Sequence, residues 1–205
     1  MNSGRGDMLM KRKRIRVVIT GGPCAGKTAA LERIRSAVDC PVLVVPETAT
    51  ELILQGITPW GNSDFQAIRV ARQLQAEERA SRIAEELPEK KILIVLDRGI
   101  ADTRAYSTAE TYEAILKQNG LTEADVMDRY DAVIHLTSAA RGAAVHYTLL
   151  TNAARTETVR EAAELDERIL SAWASHDCRI LIPAEEDFDQ KMECLLRHIQ
   201  RLLKV

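Results

Sequence analysis

Five short runs rich in β-branched residues recur along this chain, and each is separated from the next by a stretch long enough for at least one helix. They are IRVVIT at 15–20, PVLVVP at 41–46, KILIVLD at 91–97, DAVIHLT at 131–137 and CRILIP at 178–183. Each is apolar without polar alternation, so each is expected as a strand buried on both faces. Helical periodicity fills the intervals at 27–38, 63–86, 109–117, 122–129 and 159–176. The chain closes at 188–204, where Phe188, Met192, Leu195, Leu196, Ile199, Leu202 and Leu203 share one helix face. Such alternation requires a mainly parallel sheet with helices on both sides, a three-layer α/β doubly wound domain. With 205 residues, 46% of them hydrophobic, one core suffices, and residues 15–205 are expected to form a single domain.

Composition narrows the function. A net charge of −2 speaks against a dedicated nucleic-acid binder, which needs an excess of Lys and Arg for phosphate contacts. Cys24, Cys40, Cys178 and Cys194 are widely spaced and match no metal-ligand pattern, as expected for thiols in a reducing, cytoplasmic setting. The opening MNSGRGDMLMKRKRIR carries a basic cluster but no apolar stretch of a secretory signal, and residues 1–14 are expected as a flexible basic arm. No apolar run is long enough for a transmembrane helix.

Directly after the first strand stands GGPCAGKT, in which Gly21, Gly26, Lys27 and Thr28 match G-x-x-x-x-G-K-(S/T). Glycines let backbone N–H groups turn inward around phosphate oxygens, and the following helix aims its positive end at the same anion. Gly21, Gly22, Pro23, Cys24, Ala25, Gly26, Lys27, Thr28 and Ala29 are therefore the expected cradle for a nucleoside triphosphate. Lys27 bridges the terminal phosphates in this reading, and the Thr28 hydroxyl serves the accompanying Mg2+. A second metal-positioning carboxylate belongs at the end of a neighbouring strand, where Asp97 stands. Glu47 follows the second strand, so it should face the same crevice beyond the strand ends, or else cap the segment TATELIL.

After the fourth strand the pattern fades until Thr158 and Glu161, a capping box that starts a helix near Val159. Residues 138–160 are expected as a lid over the nucleotide. Within it Arg155 is the candidate for neutralising charge on the transferred phosphoryl group, with Arg141 and Arg160 as further nucleotide contacts.

Taken together, ITGGPCAGKT, VPETAT, LDRG, YDAVIHLTSAARGA, NAARTET and LDERILSAWASH resemble the AAA-type P-loop domain shared by NadR ribosylnicotinamide kinases and translocation-defect proteins. The resemblance implies a kinase-like P-loop NTPase fold with strand order 2-3-1-4-5 and binding of ATP or GTP. More distantly, Glu47 and the DRG at 97–99 are similar to elements of deoxynucleoside and thymidylate kinases. By that likeness Glu47 receives the proton of an attacking hydroxyl, and Arg98 holds phosphate or positions Glu47. Gly99 departs from the hydroxyl or aromatic residue of those kinases, and no guanine-reading motif is present. Two functions follow as expectations. One is a kinase moving the γ-phosphoryl of ATP, with GTP left open, to a small nucleoside-like acceptor held near Gln66, Arg69 and Gln73 or Asp102, Arg104 and Tyr106. The other is a nucleotide-dependent switch that signals to a protein or lipid partner.

Overall fold

The computed structural model describes residues 12–141, 158–185 and 187–204. Strands β1 (Lys13–Thr20), β2 (Val42–Val45), β3 (Lys91–Asp97), β4 (Ala132–Leu136) and β5 (Arg179–Ile182) form one sheet in the order β2-β3-β1-β4-β5. All neighbours are parallel, with Val17 opposite Val95 on one side and Ala132 on the other, and Ile134 opposite Ile180. This is the order implied by the resemblance.

The period-two geometry of a strand sends alternate residues to opposite faces, which is why the apolar runs feed two cores. Val18, Ile94, Leu96 and Val133 pack with residues of α3 (Phe65–Glu86), α4 (Ala109–Gln118) and α5 (Glu123–Asp128), and with Trp173. Their neighbours Val17, Ile19, Leu93, Val95, Ile134 and Leu136 pack with α1 (Lys27–Ala37) and α7 (Phe188–Lys204). Full burial of each such aliphatic side chain contributes about 1.5–3 kcal/mol. The outer strands differ from the expectation of burial on both faces. As sheet edges, β2 buries only Val45 and β5 only Ile182.

Three described elements were not among the expected helices: α2 (Thr48–Leu54), which is the TATELIL segment, and 3-10 segments at Ile100–Tyr106 and Ala139–Arg141, each beginning just beyond a strand end. Helix α6 (Val159–Ala172) starts on the Thr158–Glu161 capping box as expected but stops short of 176. There the His176 ring bonds the Tyr130 carbonyl at 3.0 Å, and its Nδ1 accepts the Cys178 N–H at 3.1 Å, so the chain turns into β5. Of the expected lid, residues 142–157, and Arg155 with them, lie outside the described residues. So does most of the basic arm.

Candidate nucleotide and phosphoryl-transfer site

Because every strand runs the same way, the residues that follow β1, β2, β3 and β4 gather at one end of the sheet. That end holds the glycine-rich loop, Glu47, Asp97, Arg98 and Ser138. Gly21 has φ of 137°, and a Cβ there would lie 2.1 Å from the Leu136 carbonyl oxygen, so only glycine lets the loop leave β1 beside β4. Cys24 adopts a φ of 56°, a left-handed conformation disfavoured for a side-chain-bearing residue by about 1–2 kcal/mol. Strain of this kind concentrates at ligand-binding turns.

Lys27, the first residue of α1, turns its Nζ back over the loop and donates to the Gly21 carbonyl at 3.1 Å and the Gly22 carbonyl at 3.3 Å. Burial, and then the Arg98 charge, pull its ammonium down to about 8, against the opposing pull of Glu47, Asp97 and Asp102. Thr28 is exposed in the first turn of α1, as a metal-facing hydroxyl requires.

At the end of β3, burial pushes the Asp97 carboxyl up, while Lys27 pulls the other way. Its Oδ1 is buried without a hydrogen-bond partner among the described residues. A buried carboxylate oxygen left in this state is costly unless a cation or donor completes it. Asp97 and Thr28 therefore fit the requirements of a hard, oxygen-seeking Mg2+. Among the described residues no cluster of three or more His, Cys, Asp or Glu side chains is arranged to hold a metal by itself. That is consistent with an ion bound jointly by protein and phosphate.

Glu47 occupies the N-cap position of α2, yet its side chain does not cap the helix. The carboxylate accepts from Arg98 Nε at 2.5 Å and from the Thr50 hydroxyl at 2.9 Å. Burial alone would raise the Glu47 carboxyl; the charges of Arg98 and Lys27 and these two hydrogen bonds outweigh it and hold the group at about 2. Arg98 has a φ of 72° and is itself buried, with Nη1 4.0 Å from Asp102 Oδ1 and its guanidinium 5.9 Å from the Tyr106 ring centroid. Asp102 in turn accepts the Thr20 hydroxyl and, at 2.7 Å, the Gly99 N–H. A chain of polar contacts thus runs from Glu47 through Arg98 and Asp102 to the base of the phosphate loop.

Because the ordinary value for such a carboxyl is 4.5, the stability contributed by ionised Glu47 is complete above that pH and is lost as the pH falls toward 2. Urea unfolding across this window should show a steeper loss for the parent protein than for Glu47→Gln. Parallel curves would mean that Arg98 does not favour the charged form.

The departure at Gly99 has a packing cause. A Cβ at that position would lie 2.7 Å from the buried Trp173 ring, so the indole occupies the space that a larger residue would need. Gln73 and Arg69, expected near an acceptor, are buried in a network rather than lining an open face. Gln73 Nε2 donates to the Arg98 carbonyl at 3.3 Å and to Glu77 Oε1 at 3.1 Å, while Arg69 bonds Gln66 Oε1 at 3.1 Å and the Thr103 hydroxyl. Arg104 is exposed and pairs with Glu123 at 3.0 Å.

The arginines after β4 divide. Arg141 reaches α6, 3.4 Å from Asp166 Oδ2 and 2.7 Å from Glu167 Oε2. Arg160 is exposed and bonds Glu164 one turn along the helix at 2.8 Å. Asp166 was not a sequence candidate. Fully buried on α6, it accepts the Gly22 N–H at 2.7 Å and the Ser138 N–H at 3.2 Å, and its Oδ1 lies 3.1 Å from His135 Nε2. Helix α6 is thereby tied to the phosphate loop.

A glycine-rich strand-to-helix loop, its lysine, and acidic residues beyond neighbouring parallel strands define a P-loop nucleoside triphosphate-binding fold. The chain belongs to the AAA domain family, which it matches over residues 16–191. No curated protein matches the sequence. Among solved structures, a deoxyadenosine kinase from M. mycoides with dCMP and a flexible dCDP bound is 13% identical, with a TM-score of 0.57. The same kinase with bound dATP is 14% identical, with a TM-score of 0.54. Each match covers 91% of this chain and 100% of the kinase. At this identity the likeness establishes a P-loop kinase fold.

Proposed function

We propose that this protein is a Mg2+-dependent phosphotransferase that moves the γ-phosphoryl of ATP, or of GTP, to a hydroxyl of a small nucleoside-like acceptor. The observation that carries the reading is the Glu47–Arg98 pair. A carboxylate is held ionised beyond the end of β2, beside Lys27 and Asp97, bound by the Arg98 guanidinium and the Thr50 hydroxyl rather than by the backbone N–H groups of the helix it precedes.

In the proposed reaction the acceptor oxygen bonds to the γ-phosphorus as the bond to the β–γ bridging oxygen breaks, and the bridging electron pair leaves with the nucleoside diphosphate. The hydroxyl proton passes to Glu47. Held at about 2, Glu47 is a weak base that is ionised at neutral pH. It therefore orients the hydroxyl and takes the proton late, as suits a loose phosphoryl-transfer transition state. Arg98 fixes the Glu47 carboxylate, and Lys27 meets the terminal phosphates. Asp97 and Thr28 would hold Mg2+, which supplies charge neutralisation on the phosphates. Residues 138–160 are proposed as a lid, with Arg155, Arg141 and Arg160 as its cationic contacts.

The direct test is a screen of nucleosides, nucleotides and ribosylated cofactors for acceptor-dependent release of ADP or GDP. One acceptor that stimulates release and emerges phosphorylated supports the kinase reading. Nucleotide binding with no stimulating acceptor favours a switch, which has no use for an oriented carboxylate at Glu47. Among the described residues no helix is long and apolar enough to cross a membrane.

A further inference from the structure

Three successive carbonyls of the phosphate loop are held from outside. The Pro23 oxygen accepts the Ser138 hydroxyl, the Cys24 oxygen accepts the Ala139 N–H at 3.4 Å, and the Ala25 oxygen accepts Lys191 Nζ at 2.9 Å. No peptide in the described chain is cis. In a trans peptide the C=O and the next N–H point in opposite directions. Fixing these carbonyls outward therefore turns the N–H groups of Cys24, Ala25 and Gly26 to the other side.

Lys191 is the unusual member of the set. It lies in the first turn of α7, far along the chain from the loop, and is buried, with a second bond from Nζ to the Thr137 carbonyl at 2.6 Å. Phe188 packs on the same stretch, its ring 2.8 Å from where a Gly26 Cβ would be, and Arg33 bonds Asp189 at 2.6 Å. The first turn of α7 thus packs directly on the loop.

An ammonium in this place is a poor choice for stability alone. Burial pushes it down to about 8, and although Asp166 favours its charge, Lys27 opposes it. It also sits at the positive end of a helix. A methionine would fill a similar volume without those costs, though it would leave the Ala25 and Thr137 carbonyls without this donor.

We propose that Lys191 is a positioning residue of the phosphate cradle: by holding the Ala25 carbonyl against the end of β4 it aims the Gly26 N–H at the nucleotide phosphates, and it adds a buried positive charge behind them. This role rests on phosphate binding by the loop and is independent of whether a phosphoryl group is transferred. A bond that only ties α7 to the sheet would leave the cradle unaffected.

Inorganic tripolyphosphate, which has no base or sugar, isolates the cradle. Lys191→Met keeps length and removes both charge and donors. Calorimetry at fixed salt should show tripolyphosphate affinity falling about tenfold or more, the scale of a lost charged hydrogen bond. The ligand-free variant should melt lower than the parent, since two buried carbonyls lose their donor, so affinities are compared well below its transition. Lys191→Arg, which retains a cation and donors, should keep more of the affinity than the methionine variant. In 15N-glycine-labelled protein the Gly26 amide should shift with tripolyphosphate in the parent and shift less in Lys191→Met. Unchanged tripolyphosphate affinity in folded Lys191→Met overturns the assignment. If that variant does not fold, Lys191→Gln, which keeps an amide donor without the charge, takes its place with the same readouts, and unchanged tripolyphosphate affinity with an unchanged Gly26 shift overturns the assignment.

Discussion

Lys27→Ala is expected to lose Mg-ATP and Mg-GTP binding by about a hundredfold or more while the ligand-free protein melts no lower than the parent. The two halves of this expectation have one cause. Lys27 is placed for an anion that only the ligand supplies: its ammonium has the carbonyls of Gly21 and Gly22 as partners, and burial and Arg98 bring it down to about 8 from an ordinary 10.5. A folded-state value below the unfolded one means that the charged lysine opposes folding at neutral pH. That deficit fades only as the pH rises from about 8 toward 10.5. Alanine removes the deficit together with the phosphate contact. Thermal melts with and without each nucleotide separate the effects. A variant that keeps the parent's ligand-induced shift would remove the loop from the phosphate site, and one that fails to fold would show Lys27 to be a structural residue.

The strands and most helices were legible because the sequence repeats the physics of layers. A strand buried on both faces has to be apolar at successive positions, and β1, β3 and β4 are. The edge strands carry the same kind of residue but lie half open, since whether a strand has a neighbour on both sides is settled by topology and not by its own composition. Helix α2 and the 3-10 segment after Gly99 were harder for a related reason. Each is a single short excursion, too brief to show a period, and each is fixed by polar contacts across the sheet end, such as Thr48 with Gln73 and Asp102 with Thr20.

Within the site, the loop and the strand-end residues Glu47, Asp97 and Arg98 could be found because their chemistry is tied to a local pattern. Asp166 and Lys191 could not. Both are polar residues inside helices that otherwise read as amphipathic, and both act on the loop across more than 140 residues of sequence. The one available signal was their position: each stands beside apolar residues on the face turned toward the sheet, Asp166 next to Leu165 and Lys191 next to Met192. A charged group there must have a partner, and in both cases the partner is the phosphate loop.

The chemical step itself is tested by separating the two carboxylates. Glu47→Gln preserves size and one hydrogen-bond acceptor but cannot take a proton, so acceptor phosphorylation should fall by about 10²-fold or more, the scale of general-base catalysis. Nucleotide binding should survive, because the hydrogen-bond partners of Glu47 are Arg98 and Thr50, neither of them in the loop. Asp97→Asn is expected to behave differently. Its buried Oδ1 has no hydrogen-bond partner in the described protein, so the loss should appear in the Mg2+-dependent part of nucleotide affinity, and raised Mg2+ should recover some of it. Measuring turnover and nucleotide affinity for both variants over a Mg2+ series distinguishes a base from a metal ligand. Full turnover in Glu47→Gln would remove it as the proton acceptor. If its loss proved Mg2+-dependent and that of Asp97→Asn did not, the two assignments would have to be exchanged. The Arg98 bridge makes the contrast sharper still: since Arg98 Nε contacts Glu47 at 2.5 Å, Arg98→Met should reproduce the turnover defect of Glu47→Gln, and combining the two changes should cost less than the product of the single losses.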